Sequence, residues 1–475
     1  MPAALSGSLL LISLRYCASV SVYSRLMKDN SNPSHGNVVT NSYYWPSGRG
    51  HVGHYSASKN VAPSDLSSSL AWMWTDPRGR YWNSPVSTLL DDEQNIYLHS
   101  LDGIRKFTPD GTLVWAYTPK REIGEEMPDA ASLYDGAVYC STTHGRIFAI
   151  SMKTGQELWS TKLSSTDENN GWVSVYDGVV LTGADAREEN RGRSLPGKQA
   201  DQMVLALNAS DGRVLWTFAP EAPVWNFMGS FVGDGTFVFQ DYEGRAYRNR
   251  LRDGQPLWRS GGMVGTWTDG SALLGPNGVV YTVNTQHLDP FGADGPGNVC
   301  AFRLSDGKLL WNFTTPRPPN NMPAIGTLAG RTGLSLVQPI GQQVQQGAPT
   351  DVYALDADTG AVQWIFNGPA QKDILQAGDS NALAREQRLA AGVRQLTLPN
   401  PWSAPSIDGR GTVFIGNQEG PIFSLRDENG DGRVRGGSEV STYSTDAAFS
   451  GSSSPAIGQN LMAIASIDAL YVFKG

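Results

Sequence analysis

Six times along the chain a glycine stands four residues before a tryptophan: Gly111/Trp115, Gly155/Trp159, Gly212/Trp216, Gly254/Trp258, Gly307/Trp311 and Gly360/Trp364. The residue before each glycine is Asp or Thr, and an alternating run such as Ile147-Phe-Ala-Ile-Ser or Val352-Tyr-Ala-Leu-Asp lies upstream. Asp-Gly between alternating runs marks a tight hairpin, because both residues tolerate positive φ. A second set of turns precedes these hairpins at Asp135-Gly136, Asp177-Gly178, Asp234-Gly235, Asn277-Gly278 and Asp408-Gly409. Each unit therefore reads as four antiparallel strands, A to D, with tight turns at A–B and C–D.

Counted from Trp74, successive tryptophans lie 41, 44, 57, 42, 53 and 53 residues apart. A four-stranded unit at this period predicts an all-β chain folded as a β-propeller. The 53 Gly, 28 Pro and 14 Trp among 475 residues fit that reading of many turns and large aromatic anchors. A seventh unit runs from Trp402 to about Tyr443 with Gly436 in the place of the tryptophan. The last unit offers only three strands: Ser452-Ser-Ser-Pro-Ala-Ile, Leu461-Met-Ala-Ile-Ala and Ala469-Leu-Tyr-Val-Phe. An orphan strand near the start, Leu70-Ala-Trp72-Met-Trp74, carries the aromatic signature of strand D. The expectation is an eight-bladed ring of four-stranded antiparallel blades, closed by this N-terminal strand completing the C-terminal blade.

The units resemble the pyrroloquinoline-quinone (PQQ) repeat family, most clearly in Val352-Tyr-Ala-Leu-Asp-Ala-Asp-Thr-Gly-Ala-Val-Gln-Trp364. Trp45-Pro-Ser-Gly-Arg-Gly-His-Val-Gly-His-Tyr-Ser56 resembles the opening segment of many such proteins. The resemblance spans about residues 45–475 and implies an eight-bladed propeller whose tryptophans dock one blade on the next. It says less about activity. The family holds quinone-dependent alcohol dehydrogenases and non-catalytic members of the outer-membrane-barrel assembly machinery. Dehydrogenases of the family use an adjacent cysteine pair in many members, a calcium ion on the quinone, an Asp base and a stacking Trp. Here the three cysteines, Cys17, Cys140 and Cys300, are far apart. Neither a zinc site nor a disulfide framework is indicated, and buried thiols are expected at Cys140 and Cys300. Asp269 is the carboxylate to nominate as a base, beside Trp267.

Residues 1–44 read as a leader or a disordered tail, and 45–475 as a single propeller domain. Leu9-Leu10-Leu11-Ile12 followed by Cys17-Ala18-Ser19 suits a secretory or organellar leader, but no positive charge precedes it and Arg15 interrupts it. The sequons at Asn208 and Asn312 fit a secretory route. No apolar run is long enough to span a bilayer. With 37 Lys+Arg against 45 Asp+Glu, a formal charge of −8, no basic field exists to hold nucleic acid.

Strand direction sorts the connections. A–B and C–D turns share one face; B–C and D–A connections share the other. Four long insertions, Asp185–Asp201, Asn284–Asn298, Gln338–Thr350 and Gly368–Leu398, all belong to the second face. The last reads partly as helix. One-sided elaboration points to a surface that binds a protein partner. Trp82, Trp172, Trp225, Trp267 and Trp402 open A strands on that face and are the candidates to line the channel mouth and stack a flat ligand.

Asp427-Glu-Asn429-Gly-Asp431-Gly-Arg433 matches the first half of a calcium loop, with side-chain oxygens at positions 1, 3 and 5 and a carbonyl at 7. Position 12 is Ser438, with Glu439 next. The loop falls in a C–D connection, opposite the insertions, so calcium there would be structural and away from any quinone. His51 and His54 lack a third ligand and read as a loop pair. No P-loop, dinucleotide fingerprint or hydrolase triad is apparent. The reading is a monomeric, non-catalytic binding or assembly scaffold, with a divergent PQQ-dependent oxidoreductase as the alternative.

Overall fold

The computed structural model describes residues 43–475 apart from 80–84, 123–124, 164–170, 185–200, 269, 287–294, 320, 342–346, 372–400 (save Glu386 and Ala390), 446 and 450–453. These residues form eight sheets, each built on four antiparallel strands, and one of the eight gains a fifth strand in parallel. Blade one runs from Pro85–Leu90 to Leu113–Tyr117, blade two from Ser132–Tyr134 to Glu157–Lys162, and blade three from Ser174–Tyr176 to Val214–Phe218. Blade four runs from Ser230–Phe231 to Pro256–Gly261, blade five from Leu273–Leu274 to Leu309–Thr315, and blade six from Ala324–Thr327 to Val362–Asn367. Blade seven runs from Ser406–Ile407 to Val440–Ser444. Blade eight takes Ala456–Gly458, Leu461–Ala465 and Ala469–Lys474 from the C-terminus and Leu70–Thr75 from the N-terminus. The ring is closed as the sequence predicts: Trp72 lies opposite Val472, Trp74 opposite Leu470 and Thr75 opposite Ala469.

Burial follows from the radial arrangement. Inner strands are covered on both sheet faces by neighbouring blades, so strand B of blade one, Ile96–Ser100, is buried at every residue. Its outermost strand, Leu113–Tyr117, is exposed at Leu113, Val114 and Ala116 and half-buried at Trp115 and Tyr117.

The Gly/Trp repeat is the joint between blades. From the closing strand to blade five, the indole Nε1–H donates to a carbonyl in the C–D turn of the next blade: Trp72 to Pro109 at 2.8 Å, Trp115 to Met152 at 3.1 Å, Trp159 to Ala209 at 2.9 Å. Trp216, Trp258 and Trp311 reach Leu251, Leu304 and Ala357 at 2.8, 2.7 and 3.1 Å. The glycine of that same turn lies flat under the ring. Gly155 has φ +70°, and a Cβ there would sit 2.8 Å from Trp115 Cδ2. Glycine thus serves both the left-handed backbone and the close approach.

One detail differs from the sequence count. The docking tryptophan of the closing strand is Trp72, not Trp74. Trp74 packs instead on Phe107, ring centroids 5.4 Å apart, with Arg105 Cζ 5.3 Å from its centroid. The cause is a β-bulge just before the docking residue. Trp216 pairs with Ala206 while Val214 pairs with Leu207, leaving Leu215 unpaired. The same shift falls between Leu70 and Trp72. A bulge re-aims the side chain after it, here towards the neighbouring blade.

Blade seven has lost the docking tryptophan, and its C–D connection is no simple turn. The segment crosses to blade six, where Arg433–Val434 adds as a fifth, parallel strand opposite Ile365 and Phe366. It buries Trp364 to 2% exposure. On the other side, Ala62–Ser69 spans the joint to blade eight: the Leu66 backbone N–H donates to Ser441 Oγ at 2.9 Å and Leu66 is fully buried.

The joint is testable with two glycines of like φ. Gly155→Ala meets both strain and the Trp115 ring, whereas Gly136 (φ +75°) has nothing within 4 Å of a Cβ. Gly136→Ala is expected to cost about 1 kcal/mol and Gly155→Ala about 1–3 kcal/mol more. Denaturant unfolding of both variants measures the difference; equal losses would show that ring contact does not set the joint.

Candidate functional site: the axial channel and the insertion-bearing face

The sheets converge on a central channel, and the chain's own N-terminal segment fills it. Residues 45–61 form hydrogen bonds to blade after blade. Trp45 exchanges bonds with Leu90 of blade one at 3.0 Å. Leu133 of blade two donates to the Pro46 carbonyl at 2.7 Å, and Phe231 of blade four to Val52 at 2.9 Å. Leu274, Ile325 and Ile407 of blades five to seven donate to Gly53, Tyr55 and Ser56 at 3.1, 2.8 and 2.9 Å. Asn460 of blade eight reaches Val61 at 2.9 Å. Blade three is met by a side chain: His54 Nε2 lies 3.1 Å from Ser174 Oγ and 3.2 Å from the Gly229 carbonyl, and Nδ1 lies 3.2 Å from Ser47 Oγ. The segment has no periodic pattern, and sequence reasoning did not find this role.

Both histidines therefore act within the loop. Burial pushes His54 down to about 3, so the ring is neutral. His51 Nδ1 accepts the Gly53 N–H at 3.1 Å, and its ring lies 4.7 Å from Tyr55. A cavity of about 10 Å³ beside His54, lined by Pro46, Ser47, Val52, Ser132, Leu133, Val175 and Phe231, has room for one water.

The proposed mouth tryptophans are mostly packed. Trp172 is 3% exposed, Trp267 3% and Trp402 0%. Trp172 closes on Gly48. Trp402 lies between Phe366 and Phe423, with centroids 6.2 and 5.8 Å away. Trp267 exchanges backbone hydrogen bonds with Thr285 and its ring lies 6.4 Å from Tyr242. Trp225 is half-buried. Trp82 and Asp269 lie outside the described residues. Cys140 is buried, and Cys300 is half-buried on blade five, with burial pushing its thiol up to about 11.

The stems of all four insertions meet the same face. Their end pairs are Ala184 with Met203, Thr285 with Gly297, Gly341 with Thr350, and Asp351 with Asn367. Most of the insertions themselves, including the expected helix, lie outside the described residues. Asp201 belongs to the scaffold: it is fully buried and Oδ2 accepts the Gly171 N–H at 3.1 Å. The D–A connection of blade four adds a rigid tip on this face. Gly261, Gly262 and Gly265 have φ of 74, 85 and 87°. The Met263 N–H donates to Glu243 at 3.0 Å, and Thr266 closes back on the Met263 carbonyl. At the tip Met263 is 48% and Val264 82% exposed.

On the opposite face the calcium-like residues gather in one loop. Asp427 Oδ1 accepts the Gly430 N–H at 3.0 Å, Asn429 Oδ1 that of Asp431 at 2.8 Å, and Asp431 Oδ1 that of Arg433 at 2.7 Å. Glu439 folds back to accept from Asn429 and Arg435 at 3.4 and 3.2 Å. Arg331 pairs with Asp427 Oδ2 at 3.0 Å, and Arg435 with Asp431 Oδ2 at 3.3 Å. The oxygen donors suit a hard cation, but as folded the two aspartates are each paired with an arginine. Among the described residues no group of three or more His, Cys, Asp or Glu is close enough to hold a metal.

Asp129, just ahead of blade two at the channel's insertion-side end, is 3% exposed and its Oδ2 has no partner. Burial pushes its pKa well above the ordinary carboxylate range. An acid whose folded pKa is raised loses stability as pH rises through its unfolded value, about 4. Asp129→Asn is therefore expected to melt higher than the parent at pH 7, with the gap closing towards pH 4. Parallel melting curves across that range would exclude a buried, protonated Asp129.

Eight radial sheets joined by tryptophan–glycine contacts define a propeller of the PQQ-repeat class. A PQQ-repeat family model described as outer membrane protein assembly factor BamB matches residues 100–261 and 198–344. The chain belongs to this PQQ-repeat propeller family. It is 28% identical over 143 residues to a quinoprotein ethanol dehydrogenase of Pseudomonas aeruginosa, covering 28% of this chain and 20% of that one. It is 31% identical over 112 residues to the outer membrane protein assembly factor BamB of Escherichia coli, covering 23% and 26%. The solved structure of a europium-containing methanol dehydrogenase superposes with a TM-score of 0.63 at 12% identity, over 95% of this chain and 100% of that one. At that identity the likeness is one of fold. The matches to these two curated relatives span about a fifth to a quarter of their length.

Proposed function

We propose that the chain is a non-catalytic propeller scaffold that captures a protein partner on its insertion-bearing face, outside the cytoplasm. The exposed tip Met263–Val264 carries the reading. Three left-handed glycines and a hydrogen-bonded base hold two apolar side chains out in water. Such a fixed apolar projection costs solvation unless a partner covers it. The long insertion stems share its face, and the channel that could have held a flat ligand is occupied by residues 45–61. The similarity to an outer membrane assembly factor supports the same direction.

The test is affinity capture with cross-linking from the source organism's cell extract, using the full chain as bait. Met263→Ser/Val264→Ser, and separately removal of 186–199 with Asp201 retained, should lose the partner at least tenfold while leaving the melting temperature within about 2 °C. Undiminished capture by both would overturn the face assignment. A near-ultraviolet band with dye reduction by alcohols, after adding PQQ and calcium, would overturn the non-catalytic reading.

We propose further that the Asp427–Glu439 loop takes up calcium and acts structurally, with Asp427, Asn429, Asp431, Glu439 and the Arg433 carbonyl as ligands. Arg435, whose side chain is 68% exposed, is the group to be displaced. Because the loop adds Arg433–Val434 to blade six, calcium would stiffen the joint between blades six and seven. Millimolar calcium against chelator should raise the parent's melting temperature by about 3 °C and leave Asn429→Ala unmoved. A parent indifferent to calcium ends the proposal.

A further inference from the structure

Arg49 lies where the eight blades converge and has no exposed surface. Behind it, the Gly48 carbonyl accepts the hydroxyl of Ser454 in blade eight. Ahead of it, Nη2 donates to the Met322 and Pro323 carbonyls at the entrance to blade six, at 3.1 and 2.5 Å. Its Nε and Nη1 are buried and have no hydrogen-bond partner among the described residues. Three of the five guanidinium N–H groups are therefore unpaired there.

Among the described residues no carboxylate pairs with Arg49. A guanidinium stays protonated in proteins. Burial alone lowers Arg49 to about 9, still above neutral pH, with no carboxylate pulling the other way. Asp129, an acid at this end of the channel, is held uncharged by burial and its Oδ2 has no partner among the described residues. His54, the titratable neighbour, is neutral. An isolated buried cation is among the costliest arrangements a protein can hold, and removing its partner is correspondingly destabilising. The two carbonyls on Nη2 supply partial negative charge but leave three of the five donors unused.

We propose that Arg49 anchors a binding site for a compact inorganic anion, of halide type, at the insertion-side end of the axial channel. Enclosure sets the size. The unpaired Nε and Nη1 donors are shut off from solvent, which favours the most compact anions over bulky ones. A halide ion needs N–H donors and no fixed geometry, and it neutralises a guanidinium without adding bulk. It would join the N-terminal segment to blade six through the residue that already touches both. The inference stands apart from the partner reading, since it concerns the channel and not the face.

The test uses the purified full chain in chloride and in gluconate, an anion too large to enter, at equal ionic strength. The parent should melt about 5 °C lower in gluconate, and Arg49→Met should melt identically in both. Crystals grown in bromide should show an anomalous peak within about 4 Å of Arg49 Cζ. If Arg49→Met does not fold, the bromide peak and the parent's chloride response decide the matter together. A parent indifferent to chloride, an equal response in Arg49→Met, or no bromide at Arg49 overturns the proposal. So does a bromide peak without any stability response, which would mark an adventitious ion only.

Discussion

The contact between a tryptophan of one blade and a glycine of the next is what the ring depends on. A four-stranded sheet of this size cannot cover its own faces. Its inner strands become stable only when blades on either side exclude water. The indole does this in one contact, laying its ring on the bare backbone of the neighbouring C–D turn and giving its N–H to a carbonyl there. The hydrogen bond fixes orientation, the area burial supplies most of the energy, and the glycine makes the approach possible. Each joint sets the tilt at which the next blade begins. Six near-equal joints from Trp72 to Trp311 therefore impose a common curvature, and curvature decides how many blades close the ring.

Blade seven shows how the ring tolerates a missing joint. Its D strand has Ser441 and Tyr443 in the region where the others carry a tryptophan. Two non-repeating segments compensate. Arg433–Val434 is laid along blade six from one side, and Leu66 is driven in from the other. Both come from irregular stretches, so the regular joints and the irregular ones use different chemistry: ring on backbone in the first, strand addition and a buried aliphatic in the second. The N-terminal segment is the third element of this kind. It runs along the channel wall and satisfies backbone groups that inner strands would otherwise present to an empty axis.

The blades were legible because each is written locally. Asp-Gly turns and alternating runs state strand number and direction within some forty residues, and the truncated last unit together with the orphan Leu70–Trp74 states how the ring closes. The choice between Trp72 and Trp74 was not legible, because the bulge that decides it is a matter of hydrogen-bond register and leaves no mark in composition. The path of residues 45–61 was equally hidden. Its Gly, His and Ser residues have no period, and they are meaningful only against eight other segments distant in sequence. The same holds for the candidate sites. Trp172, Trp267 and Trp402 stand two to six residues ahead of the innermost strands rather than opening them, and burial there depends on neighbours such as Gly48 and Phe423. The oxygen spacing from Asp427 to Asp431 was visible; Arg331, which comes from far along the chain to meet it, was not.

The pairing of Leu70–Thr75 with Ala469–Lys474 has a kinetic meaning. During synthesis the strand emerges about four hundred residues ahead of its partner, with a hydrophobic edge, and must stay unpaired until Ala469–Lys474 has been made. Contacts of such separation form late and leave intermediates prone to aggregation. A chaperone that shields the first hundred residues, or passage of the chain unfolded to another compartment, would suit this latch, since nothing can fasten it until the last blade exists.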